Sequence, residues 1–161
     1  MELIDHCPKC KEEEWRIPLT TEGLGILCHK ICNEPKIRFC GIINSQGRIV
    51  TGGFRNEIKP LDNEDLRRML YMQSSLELSM KGEFDDSLGN VNFITTYRDN
   101  VTIITVPIKQ NYLLLMSVER NTEIQQIVKK TISLFESNGL MSRKNTLIPS
   151  KSCSILSSKC V

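Results

Sequence analysis

Two pairs of cysteines are the residues best equipped for chemistry: Cys7-Pro8-Lys9-Cys10 and Cys28-His29-Lys30-Ile31-Cys32. Two thiolates on a tight turn can fill half of a tetrahedral zinc site. Two residues four apart on a helix project from one face and can supply the other half. Cys7, Cys10, Cys28 and Cys32 therefore form a candidate metal set for one structural zinc; the alternative is a chain with no cofactor. Against the metal reading, Cys28 shares a helical face with Leu24, Leu27 and Ile31, and a free cysteine is a common small core residue. Disulfide-exchange chemistry needs its Cys-x-x-Cys after a strand and at a helix N-terminus, and neither is signalled around Cys7. Nucleophilic catalysis has less support still. The two histidines, His6 and His29, are each next to a cysteine in sequence, which does not place a base within reach of a thiolate. Gly23-Leu24-Gly25 lacks the third glycine of a phosphate loop, and Asp85-Asp86 reads as a solvated helix exit. No acid, base and nucleophile assemble, so the expectation is a protein that is not an enzyme.

The frame carrying these residues is 161 long, with 40% hydrophobic and 25% charged residues and a net charge of +2. That composition is globular, and the length suits one domain with short extensions. So small a net charge, with no aromatics interleaved along a basic stripe, argues against nucleic acid as a partner. No apolar run approaches the roughly 18 residues that cross a bilayer. The opening Met1-Glu2-Leu3-Ile4-Asp5 does not resemble a secretory signal, so a cytoplasmic location is expected. The residues after Glu136 carry Arg143, Lys144, Lys151 and Lys159 and no acid. Removing those four from 21 basic residues leaves 17 against 19 acids, a body at −2. Residues 1–20 are read as a cysteine-containing extension, 21–139 as the domain, and 140–161 as a basic, Ser-rich, disordered tail.

Periodicity supplies the elements of the domain. A short helix starts with Thr20 or Thr21 as N-cap and ends before Pro35. Ile37 to Ile43 and Arg48 to Phe54 are strands joined by Asn44-Ser45-Gln46-Gly47, a hairpin turn closed by glycine. A long helix follows with Asp62 as N-cap and runs to about Phe84. Its largest apolar stripe, Leu66, Met69, Leu70, Leu76, Met80 and Phe84, is expected to face the sheet. Tyr71, Ser75, Leu78 and Gly82 lie on nearly the opposite side and carry no charge, so a second body is expected to pack there. Strands over Val91–Tyr97, Val101–Ile108 and Tyr112–Val118 precede a last helix. That helix is expected to be capped by Asn121 or Thr122, with Gln125 as capping-box partner.

The order helix, two strands, long helix, three strands, helix resembles the Roadblock/dynein-light-chain domain, a relative of longin and profilin-like folds. The resemblance rests on Gly41-Ile42-Ile43-Asn44-Ser45-Gln46-Gly47-Arg48-Ile49-Val50 and on the strand trio before an amphipathic helix. Ile37 to Asn44, Gly52-Gly53-Phe54, Met69 to Gln73 and Glu83-Phe84-Asp85 are also similar to a group of archaeal proteins of like length, to which no activity attaches. The Roadblock resemblance implies an α+β fold: a five-stranded antiparallel sheet with helices on both faces, paired into homo- or heterodimers. The long helix and the strand after it would form the interface, here Tyr71, Ser75, Leu78 and Gly82 with Val91, Phe93 and Thr95. It implies a scaffolding or regulatory role with a small GTPase or other protein partner. Two other readings stand beside it. One is a zinc-binding regulator whose N-terminal cysteine segment contacts nucleic acid or protein. The other is a small-ligand sensor that uses the sheet as a pocket floor.

Overall fold

The computed structural model describes residues 20–141. Helix α1 spans Thr21–Cys32, and the Thr20 hydroxyl accepts a hydrogen bond from the Gly23 N–H at 3.1 Å, closing its first turn. Strands β1 (Ile37–Ile43) and β2 (Ile49–Phe54) form the expected hairpin. Its turn is built by Asn44, whose Oδ1 accepts from the Gln46 and Arg48 N–H groups at 3.0 and 2.9 Å. Gly47 supplies the left-handed step, with φ at +76°.

Helix α2 spans Glu64–Gly82. Its N-cap is Asn63, which accepts from the Leu66 N–H at 2.9 Å, and not Asp62 as the sequence suggests. Asp62 instead holds Arg67 at 3.2 Å. One further turn, α3 (Asp85–Leu88), leads into β3 (Ile94–Tyr97), β4 (Val101–Ile108) and β5 (Tyr112–Glu119). Helix α4 is Ile124–Ser137. The expected capping box on it does not form: the Thr122 hydroxyl donates backwards to the Glu119 carbonyl at 2.6 Å, leaving Glu123 at the cap with no side-chain bond.

The five strands make one antiparallel sheet in the order β2-β1-β5-β4-β3. Strand alternation divides its side chains between two unequal layers. Under α1 and α4 lies a continuous core of nineteen buried residues, including Leu27, Cys40, Ile42, Ile104, Met116 and Phe135. A register shift between Ile37 and Phe39 puts Ile37 on this side as well. Under α2 lies a core of five: Phe39, Ile43, Tyr71, Leu113 and Leu115. The sheet with helices on both faces is therefore as expected, but α2 contributes far less to the core than α1 and α4 do. Among the described residues no helix is long and apolar enough to cross a membrane.

Candidate interaction surface

Helix α2 meets the sheet with the face that the sequence assigns to a partner. Tyr71 is buried and its ring stacks on Phe39, with centroids 6.0 Å apart and planes at 21°. Ser75, also buried, donates from its hydroxyl to the Ser45 carbonyl at 2.8 Å. Ser74 turns its hydroxyl back to the Leu70 carbonyl at 2.8 Å, which satisfies it without a second element. These small and flat side chains matter because the β1–β2 turn comes up against the helix backbone. A Cβ on Gly47 would stand 2.6 Å from the Met72 Cα.

The apolar stripe expected to lie on the sheet consequently faces outward. Leu66, Met69, Leu76, Met80 and Phe84 are all more than half exposed, at 53 to 61%, and so is Met72, which the expected stripe does not include. Leu70, from the same expected stripe, is half-buried against the small core. The amphipathic pattern identifies two apolar faces correctly and assigns them to the wrong neighbours. The close approach at Gly47 admits only the smaller face.

The expected interface residues are brought together only in part: Ser75, Leu78, Gly82 and Val91 line one cavity beside the α2 contact. Tyr71 and Ser75 face the sheet, Leu78 is half-buried against the same small core, and Gly82 is exposed. Thr95 pairs across with Ile104, which belongs to the α1/α4 side, and Phe93 packs against that same core. Phe93 and Thr95 therefore lie on the opposite face of the sheet from the helix residues, while Val91, half-buried just before β3, shares a cavity with Ser75, Leu78 and Gly82.

Of the four metal candidates, Cys28 and Cys32 fall among the described residues. Cys7 and Cys10 lie outside the described residues. Cys28 and Cys32 are buried in the larger core, where their thiols reach Cys40 on β1. Burial pushes the Cys40 thiol well above its ordinary value, and hydrogen bonds with Cys28 and Cys32 add to this, so it stays neutral. Cys32 donates to the Gly53 carbonyl at 3.6 Å. The three behave as small core residues. Among the described residues no three His, Cys, Asp or Glu side chains converge as a metal site.

Because α2 touches the sheet mainly at its middle, cavities of about 510 and 860 Å3 flank the contact. The smaller lies toward the start of α2, over Phe39, Phe54, Ile103 and Leu115. At its rim the Arg67 guanidinium sits over the Phe54 ring, 4.9 Å from the centroid. Arg38 donates to Glu119 at 3.2 Å and to the Lys59 carbonyl at 3.0 Å. Sequence reasoning missed this site. Its residues come from β1, β2, α2, β4, β5 and the β3–β4 turn, and no local pattern joins them.

Tyr71 lines this cavity, and its hydroxyl is pushed up to about 12, chiefly by burial; nearby Asp62 raises it further and Arg67 opposes the rise. An unfolded tyrosine ionises near 10. The unfolded state therefore loses its proton first, and the contribution of Tyr71 to stability is full below pH 10 and falls as pH rises toward 12. Between those pH values the urea midpoint of the wild type is expected to fall relative to that of Tyr71→Phe. Parallel curves would contradict this assignment.

Three solved structures share the fold. A Roadblock/LC7 domain from Streptomyces avermitilis superposes with a TM-score of 0.56 at 11% identity, covering 70% of this chain and 92% of that one. MglB of Myxococcus xanthus gives 0.56 at 9% identity, covering 72% and 89%. The gliding protein MglB of Thermus thermophilus gives 0.59 at 8% identity, covering 85% and 93%. A comparison with the curated proteins finds no match. The fold is Roadblock-like, and since residues 20–138 match the model of the family of unknown function DUF6659, the chain belongs to that family.

Proposed function

We propose that this protein is a dimer-forming interaction module, a scaffold or regulator, in which the outward stripe of α2 and the edge strand β3 meet a second copy. The observation that carries the reading is the stripe itself. Five large apolar side chains along one helix, Leu66, Met69, Met72, Leu76 and Met80, face water, with exposed Phe84 just beyond its end, and isolated soluble domains rarely leave such a patch uncovered. Strand β3 adds an edge with free main-chain groups on its outer side, where a second strand could pair. Tyr71, Ser75 and Leu78 are taken up by the sheet and Phe93 packs against the α1/α4 core, so Met69, Met72, Leu76 and Met80 would make the contact in their place. One relative in fold is an MglB with a tetrameric arrangement, which supports association as a use of the fold. A pair of copies would offer a small GTPase or other protein partner a composite surface.

Leu76→Glu tests the reading by placing a charge at the centre of the stripe. Sedimentation equilibrium is expected to show a wild-type dimer and a variant weakened by about 2 kcal/mol or more, on the order of thirtyfold. Leu76 is 61% exposed in the single chain, so the circular dichroism spectrum of the variant should be unchanged. A wild type that sediments as a monomer at high concentration would overturn the reading.

A further inference from the structure

The cavity over Phe39 and Leu115 combines an apolar floor with a charge and a hydrogen-bond donor that the fold does not use. Its volume of about 510 Å3 falls within the range of small-molecule sites. Four arginines stand at or beside the rim: Arg38, Arg67, Arg98 and Arg120. Arg38 is paired with Glu119 and Arg67 with Asp62. Arg120 donates to the main-chain oxygen of Asp99 at 3.1 Å. Four positive charges against Glu119, Asp62 and Asp99 leave one in surplus. Arg98, which lines the cavity, has no ion-pair partner among the described residues.

The second observation is independent of charge. Tyr71 is only 6% exposed and lines the same cavity. Its oxygen is not among the buried polar atoms left without a partner, so the hydroxyl opens into the cavity, where it stays protonated at ordinary pH. A donor placed there is open to a molecule bound in the cavity.

We propose that this cavity binds a small amphipathic carboxylic acid in its anionic form. The apolar body lies over Phe39 and Leu115, Arg98 supplies the countercharge, and the Tyr71 hydroxyl donates a hydrogen bond. One surplus charge matches a monoanion better than a polyphosphate. The apolar floor excludes a free inorganic ion, which would leave it dry and uncovered.

The test is calorimetric titration of the full-length protein with 1-naphthoate, with its neutral isostere 1-naphthamide, and with inorganic phosphate. Saturable 1:1 binding of naphthoate is expected, with naphthamide weaker by about tenfold or more and no binding of phosphate, because charge-assisted hydrogen bonds are the strong ones. Arg98→Ala and Tyr71→Phe should each weaken naphthoate by roughly tenfold. Tyr71→Phe should melt no lower than wild type at pH 7, which separates a ligand role from a folding role. Equal binding of the amide, unchanged affinity in both variants, or no naphthoate binding up to millimolar concentration would each overturn the proposal. Sedimentation of the same samples reports association separately. A monomer that binds naphthoate supports the cavity while overturning the dimer, and a dimer that ignores naphthoate overturns the cavity alone.

Discussion

Gly52→Val is expected to cost a large share of the domain's stability, whereas Gly53→Ala, one residue along the same strand, should be nearly neutral. Gly52 holds φ at +105°, a region that side chains with a Cβ rarely enter. A Cβ there would stand 2.3 Å from the Cys40 carbonyl oxygen and 2.6 Å from the Gly41 Cα. Both are backbone atoms of the neighbouring strand, so no rotamer change can relieve the clash. Gly41 is also the residue paired opposite Gly52, so β2 would have to lift off β1. The cost belongs at the extreme of single substitutions, about 4–5 kcal/mol, against a total stability of about 5–15 kcal/mol for an ordinary domain. A Cβ on Gly53 meets nothing within 4 Å. Urea midpoints of the two variants decide the matter, and similar values would refute the account.

The second large effect is expected from Phe135→Ala. Phe135 is 1% exposed and belongs to the continuous core between α4 and the sheet. Its carbonyl also accepts from the Leu140 N–H at 2.9 Å, where the chain turns back after α4. Truncating a buried phenylalanine removes its transfer free energy and leaves a cavity that rigid neighbours fill only in part, about 3–5 kcal/mol in all. The urea midpoint should fall with the slope of the transition unchanged, since the unfolded surface hardly changes. A loss below about 1 kcal/mol would mean that this core is not packed as described.

What the sequence reveals depends on how local the determining contact is. The β1–β2 hairpin is legible because Asn44 and Gly47 build it within five residues. The stripe of α4, Ile124, Ile127, Val128, Thr131 and Phe135, is legible because one face of that helix is apolar and the other is not; all are buried except Ile127, which is half-buried. Helix α2 defeats the same reasoning. Both its faces lack a strong polar signal, and the choice between them is made by Gly47, a turn residue twenty-five positions before Met72. The N-cap shifted from Asp62 to Asn63 for a related reason: Arg67, a turn later, engages Asp62. Spacing correctly places Cys28 and Cys32 on one helical face, but their neighbour Cys40 comes from a strand. The cavity residues are the extreme case, since Arg38, Tyr71 and Arg98 meet only when the whole sheet is built.

The unequal thickness of the two layers separates two kinds of residue. Most of the cohesion of the sheet resides under α1 and α4, where nearly any enlargement or truncation threatens the whole domain. On the α2 side a small cluster fixes the helix by its middle, and the outward residues answer to no internal neighbour. Substitutions there are expected to leave the fold intact. What that face meets could therefore be altered without disturbing the side of the sheet that holds the architecture.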